Sequence, residues 1–312
     1  MPASVHDVPQ ATGAQGEFRE RLVEAGILLP SRVPGVTGQG PVFVDLRRRL
    51  DARLTRLFAG ERPVSMEFPP VEPRYDMESV DYLTSFPQLT GSLFAFGGDE
   101  AQAVVLADQA RRHEDWSGHL TPSGVVMVPA ACHPVYPALA GKPIPPEGLT
   151  VDAGAAWVFR NEPSDDPCRM QAFHQREVVR VDGPDEVADW RDHWRDESLA
   201  LLLSLGLPAA FDEANDPFFG RAGRVLARSQ RAQKLKFEIL IPIGGDAPTA
   251  VASFNAHGEH FAHVFGLHRA DGGPVHTACL GFGLERCVLA LLFTHGLAVR
   301  DWPAAVLAEL GP

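Results

Sequence analysis

FRNEPSDDPCRMQAFHQRE, residues 159–177, decides how the rest of this 312-residue chain is read. Segments rich in extended-state residues flank a turn-prone centre, Pro163, Ser164, Asp165, Asp166 and Pro167. This predicts two antiparallel strands joined by a loop. On such strands side chains alternate, so Arg160 and Glu162 are expected on one face, and Phe173 and Glu177, four apart, on one face as well. A planar guanidinium suits a phosphate oxygen, and an aromatic ring can stack a base. The segment therefore reads as a nucleotide cradle, set against the plainer alternative of a surface hairpin with ordinary ion pairs.

Working outward, Gly281-Phe282-Gly283-Leu284-Glu285-Arg286 runs into the apolar stretch Cys287-Val288-Leu289-Ala290-Leu291-Leu292. This predicts a glycine-rich strand exit entering a buried helix, with Arg286 in its first turn. Upstream, Leu46, Leu50, Leu54, Leu57 and Phe58 repeat at helical spacing with five arginines between them. Gly60 is expected to stop that helix, and residues 64–68 to run extended into Pro69-Pro70.

In this order the three segments resemble motifs 1, 2 and 3 of the class II aminoacyl-tRNA synthetases, and most closely the seryl-tRNA synthetases. Motif 2 is Phe-Arg-x-Glu, a variable loop, then an arginine four residues before an aromatic. The resemblance implies that Arg160 holds the α-phosphate of ATP, Glu162 reads the adenine amino group, Arg169 meets the γ-phosphate and Phe173 covers the base. It makes Arg286 a second γ-phosphate ligand and motif 1 a homodimer interface. The implied fold is α+β, a class II synthetase-like antiparallel sheet flanked by helices, with a catalytic domain over residues 41–312 after an N-terminal extension over residues 1–40. The composition, 45% hydrophobic, is ample for its core.

Cysteine is sparse: Cys132, Cys168, Cys279 and Cys287, with no Cys-x-x-Cys pair. That usage, with no secretory or spanning segment in the sequence, is expected of a reduced, cytoplasmic enzyme. Buried free thiols are an ordinary reading for Cys168 and Cys287. Cys132, Glu177 and Cys279 instead match the zinc ligands of the atypical, methanogen-type seryl-tRNA synthetases and of their relatives, the amino acid:carrier protein ligases. Two thiolates and a carboxylate leave tetrahedral zinc one open position, which in these families takes the substrate's amino group. A competing metal motif, His257, His260 and His263, lacks the His-Glu-x-x-His order. Its aromatic neighbours predict extended, packed structure, so these read as core and pocket histidines. Ser253 and Asn255 match the segment that helps hold magnesium and substrate. Where the synthetases place a magnesium-binding glutamate this chain has Ala250, with Glu238 as a possible substitute.

Charge separates the two families. The chain has 28 Lys+Arg against 40 Asp+Glu, a formal charge of -12, which is unfavourable for tRNA phosphates. Residues 1–40 offer a Gly/Pro-punctuated tail and a short helix over residues 17–28, not a tRNA-binding arm. Between residues 217 and 237 the composition reverses to six basic residues and no acid. Arg221, Arg224, Arg228 and Arg231 step by three, four and three along one helical face of an inserted helix at about 217–233, with Ala222, Val225 and Leu226 expected to pack beneath. A solvated face is the bland reading. In the carrier protein ligases a helix inserted here docks an acidic acyl carrier protein and guides its phosphopantetheine arm. The resemblance implies ATP-dependent activation of glycine or alanine and transfer to that thiol, with zinc and magnesium. The alternatives are a truncated synthetase charging tRNA and a catalytically silent regulatory paralogue.

Overall fold

The computed structural model describes residues 13–311. Its centre is a seven-stranded sheet, numbered here in chain order: β1 (Val64–Ser65), β2 (Leu149–Phe159), β3 (Ala172–Asp182), β4 (Ala210–Glu213), β5 (Lys236–Ile241), β6 (Thr249–Gly258) and β7 (His276–Gly283). In space the order is β4-β5-β6-β7-β3-β2-β1. Every neighbouring pair is antiparallel except β1 with β2, which is parallel. The motif 1 strand thus joins the sheet edge beside motif 2. A smaller sheet, Val71–Pro73 with Leu120–Met127 and Ser92–Phe96, is tied to the end of β2 by the Phe159 amide donating to the Val128 carbonyl at 2.9 Å.

Helices pack on the main sheet and around its cavity. They are α1 (Gly13–Glu24), α2 (Pro41–Phe58), α3 (Pro184–Ser204), α4 (Gly220–Ala232), α5 (His260–Phe265), α6 (Leu284–His295) and α7 (Ala304–Leu310), with α2, α3 and α6 forming the core behind the sheet. Pro41, in the first turn, needs no amide partner there and starts α2. Leu46, Leu50, Leu54 and Phe58 follow at one-turn spacing, all essentially fully buried. Phe58 packs edge-on to Trp194 of α3 at 4.7 Å. The intervening arginines do structural work of their own: Arg53 pairs with Glu309 at 2.7 Å, and Arg49 donates to the Gly311 carbonyl at 2.6 Å. After Glu285 and Arg286 in its first turn, α6 is buried and apolar from Cys287 to Leu292, where it packs on the sheet and on α2.

Three expectations change. α1 covers Gly13–Glu24 rather than 17–28, and Leu28–Pro30 pairs with Thr37–Gln39. Phe18, Leu22 and Leu28 belong to the main core. Residues 1–12 of the tail lie outside the described residues. Only His257 of the histidine triplet is on a strand; His260 and His263 sit on α5, whose end is set by Gly266 at φ 63°. Their three-residue spacing was a helical one, and the aromatic neighbours hid it. On α4, Val225 is 67% and Leu226 48% exposed, so neither packs beneath the arginines as expected. The helix stands at the cavity rim, where Leu226 faces the cavity rather than a packed core. The Ala222 side chain lies outside the described residues.

Candidate active site

The front of the sheet opens into a cavity of about 970 Å³, at the upper end of what a small-molecule site occupies. Period-two alternation on β3 sends Phe173, Gln175 and Glu177 into it. Across the ladder Glu177 lies opposite Gly281, and Cys279 opposite Asn255. Cys132 arrives from the turn after Leu120–Met127.

At one end, ligand atoms of Cys132, Glu177 and Cys279 all lie within 4.8 Å of one another, and all three residues are buried. The Cys132 amide donates to Glu177 Oε2 at 2.6 Å, fixing the carboxylate. Gln175 accepts from the Ala131 amide at 3.2 Å, so a second β3 side chain holds the same turn. Tyr136 and Thr277 hydroxyls reach His257 Nδ1 at 3.4 and 3.1 Å, and Nε2 faces Cys279 Sγ at 3.6 Å. With the nearer hydroxyl, Thr277, donating to Nδ1, the N–H on Nε2 points at sulfur, a contact of the kind that would support the thiolate of a metal site. Burial pulls His257 down to about 3, so the ring is neutral.

Without a cation these groups oppose each other. The bond to Cys279, then burial, hold the Cys132 thiol well above its ordinary range. Burial raises Glu177 despite hydrogen bonds from both cysteines. Cys279 is lowered by its bond to Cys132, but burial and Glu177 together bring it above its ordinary value. Three donors of this chemistry and proximity fit zinc, whose charge would favour the deprotonated forms.

At the other end stand the residues that the resemblance assigns to ATP. β2 stops at Phe159, so Arg160 and Glu162 lie in the loop just past the strand, not on one strand face as expected. The proline-rich centre ends the ladder early, leaving one further bond, Arg160 amide to Gln171 carbonyl at 2.8 Å. Both side chains still line the cavity. Arg160 donates to the Pro129 carbonyl at 3.0 Å and lies over the Phe173 ring at 5.7 Å. Arg169 is held loosely by Glu162 and Asp166 at 3.5 and 3.7 Å, contacts a phosphate could displace. Arg286 donates to the carbonyls of Cys168 and Ala250, at 2.8 and 3.0 Å. The Ala250 contact is through its backbone oxygen, so it does not replace the carboxylate absent at this position.

Ser253 and Asn255 line the cavity on β6, with Asn255 donating to Cys279 Sγ at 3.5 Å. Glu238 is there too, tied to Lys236 at 3.1 Å. Arg221, Arg224 and Arg228 on α4 are exposed and not among the cavity residues; Arg231 reaches back to the Glu213 carbonyl at 2.8 Å. Sequence reasoning missed Gln175, Lys236, Asp216 and Gln15. Gln175 was findable, since it lies between Phe173 and Glu177 on the alternating face. Gln15 of α1 donates to Asp166 at 2.7 Å, a contact across 151 residues that leaves no local signal.

No family model matches the chain. Among curated proteins it is 42% identical over 314 residues to amino acid--[acyl-carrier-protein] ligase 1 of Bradyrhizobium diazoefficiens, covering 100% of this chain and 94% of that protein. It is 40% identical over 280 residues to ligase 2 of the same organism, covering 89% and 83%. Among solved structures, M. kandleri SerRS in complex with A. aeolicus tRNASec superposes with a TM-score of 0.79 at 22% identity. That match covers 99% of this chain and 62% of the other, and it establishes the class II synthetase fold.

Proposed function

The chain belongs to the amino acid–[acyl-carrier-protein] ligases, and from that premise we propose how its residues activate an amino acid and pass it to a carrier protein. In the first step the carboxylate oxygen of a small amino acid, glycine or alanine, attacks the α-phosphorus of ATP. Pyrophosphate leaves and an aminoacyl-adenylate forms. In the second, the carrier's phosphopantetheine sulfur loses its proton and attacks the aminoacyl carbonyl carbon. AMP leaves and a thioester forms.

Arg160 is assigned to the α-phosphate, where its guanidinium opposes the charge that grows in the transition state. Phe173 stacks the adenine and Glu162 accepts from its amino group. Arg169, freed from Glu162 and Asp166, and Arg286 hold the pyrophosphate. Cys132, Glu177 and Cys279 would hold zinc, which when bound supplies a Lewis-acid seat for a neutral amine. Asn255 steadies Cys279, and Ser253 with Glu238 offers side-chain oxygens to the magnesium that accompanies ATP. Holding both reactants in one cavity makes the attack effectively intramolecular.

The four arginines of α4 are assigned to docking the acidic carrier. On a chain of formal charge -12 this stripe favours a small acidic partner over tRNA, whose binding needs a broad basic surface. We also assign the chain to a homodimer, with α2 and β1 at the interface. Among the described residues no helix is long and apolar enough to cross a membrane.

The observation that carries this reading is that the three buried donors and the motif 2 and 3 arginines open onto one cavity. Its test is exchange of labelled pyrophosphate into ATP across a panel of amino acids. Exchange with glycine or alanine and none with serine is expected; exchange with no amino acid would refute it.

A further inference from the structure

α4 has two faces with different partners. At 100° per residue, Leu226 and Gln230 lie on the side opposite Arg221, Arg224, Arg228 and Arg231, and both line the cavity. The side-chain amide of Gln230 makes a reciprocal pair with Asp216: Nε2 donates to Oδ2 at 2.7 Å, and Oε1 accepts from the Asp216 amide at 2.7 Å. The other oxygen of Asp216 accepts from Lys236 Nζ at 2.5 Å, and that ammonium also meets Glu238 at 3.1 Å. Lys236 is only 7% exposed. An ammonium has three donors, so a third remains for what enters the cavity. In register, Lys236 lies opposite Asn255, and Asn255 opposite Cys279. The ammonium thus stands two strands from the metal donors, roughly 10 Å by strand spacing.

The entry to α4 is pinned separately. Gln88 donates to the Pro217 carbonyl at 2.8 Å, Phe218 stacks on Phe86 at 5.0 Å, and Gly223 is so close to Phe218 that a Cβ would meet its backbone at 2.7 Å. The far end is joined to the body through Gln230, with Arg231 and Lys234 reaching Glu213. A pivot about the pinned entry breaks both Gln230 bonds together and leaves one oxygen of the partly buried Asp216 carboxylate without that donor.

We propose that Gln230, Asp216 and Lys236 form a latch between α4 and the amino-acid end of the cavity, in which Lys236 positions the substrate's carboxyl or carbonyl oxygen, and engagement of α4 and of the cavity are coupled through Asp216. This rests on reading α4 as the carrier dock. Coupling of this kind is reciprocal, so ligands in the cavity change the affinity of α4 for its partner by the same factor that the partner changes theirs.

The test uses the full zinc-loaded chain and the apo form of an acyl carrier protein, which lacks the arm and cannot accept the aminoacyl group. Carrier affinity is measured by calorimetry with and without saturating glycine or alanine plus a non-hydrolysable ATP analogue. A change of about fivefold or more is expected in the unaltered chain, and none in Gln230→Leu. Lys236→Met should raise KM for the amino acid at least about tenfold in pyrophosphate exchange while KM for ATP holds. Equal coupling in the Gln230→Leu and unaltered chains, or none in either while carrier binds, overturns the latch. If Gln230→Leu fails to fold, the split between the two KM values decides: a parallel rise, or no rise, overturns it. If the apo carrier does not bind the unaltered chain at all, the docking assignment fails, and Lys236→Met still tests the cavity end.

Discussion

A methyl group on Gly281 would stand 2.8 Å from Gln175 Nε2 and 3.2 Å from Glu177 Cγ, pressing on the carboxylate that faces the two thiols. The nearest atom is the tip of a flexible side chain, so the fold should survive Gly281→Ala while the donor set is pushed off its geometry. Metal affinity, read by competition with a chromogenic chelator, is expected to fall about 10–100-fold, as for changes in the support of a ligand. Unchanged affinity would separate Glu177 from the metal. Cys279→Ala removes a donor outright. It should abolish bound zinc, measured by atomic absorption, and lower pyrophosphate exchange by at least about 100-fold, more than a change in support. Cys168 and Cys287, both pushed up to about 12 by burial, lie outside the metal donor set. Cys168→Ala is therefore the control that keeps its zinc.

The helices divide between those that hold the sheet and α4, proposed above to address a partner. Leu50 on α2 is fully buried among the core residues. Leu50→Ala is expected to cost about 2–5 kcal/mol, seen as a lower urea midpoint at unchanged slope; a loss under about 1 kcal/mol would mean the site collapses around the gap. On α4 the expected effect is kinetic. Reversing charge at Arg221, Arg224 and Arg228 together should slow thioester transfer at least about tenfold more than pyrophosphate exchange, with weaker salt dependence; equal loss of both steps would argue against docking. Elements were legible where local pattern and tertiary demand agree. The leucine repeat of α2, the Gly-x-Gly exit into α6 and the proline-bounded hairpin are such cases. They failed where context overrode pattern. The loop prolines end β2 before Arg160. Helical histidine spacing on α5 was outvoted by its aromatics. The apolar residues of α4 stay exposed because the helix rides at a cavity rim. Lys236 was read only as one more charge of the basic run, and Asp216 gave no sign, since their pairing exists only once β5 lies beside the entry to α4.

At the scale of the whole molecule, the order of motifs along the chain becomes one surface. β3, β6 and β7 bring residues from three distant segments to the front of a single sheet, and the helices keep the back dry. The acidic chain carries the exposed arginines of α4 beside the mouth of that cavity, so under the proposed docking role steering and chemistry would share a site. The central claim is that this surface activates a small amino acid and loads it onto a carrier's thiol. Its most direct test is the intact mass of a phosphopantetheine-bearing carrier protein after incubation with the enzyme, ATP, magnesium and glycine or alanine. The account predicts a gain of one aminoacyl group, dependent on ATP and lost on treatment with hydroxylamine. An unmodified carrier, in a reaction that does consume ATP and charges tRNA instead, would contradict it.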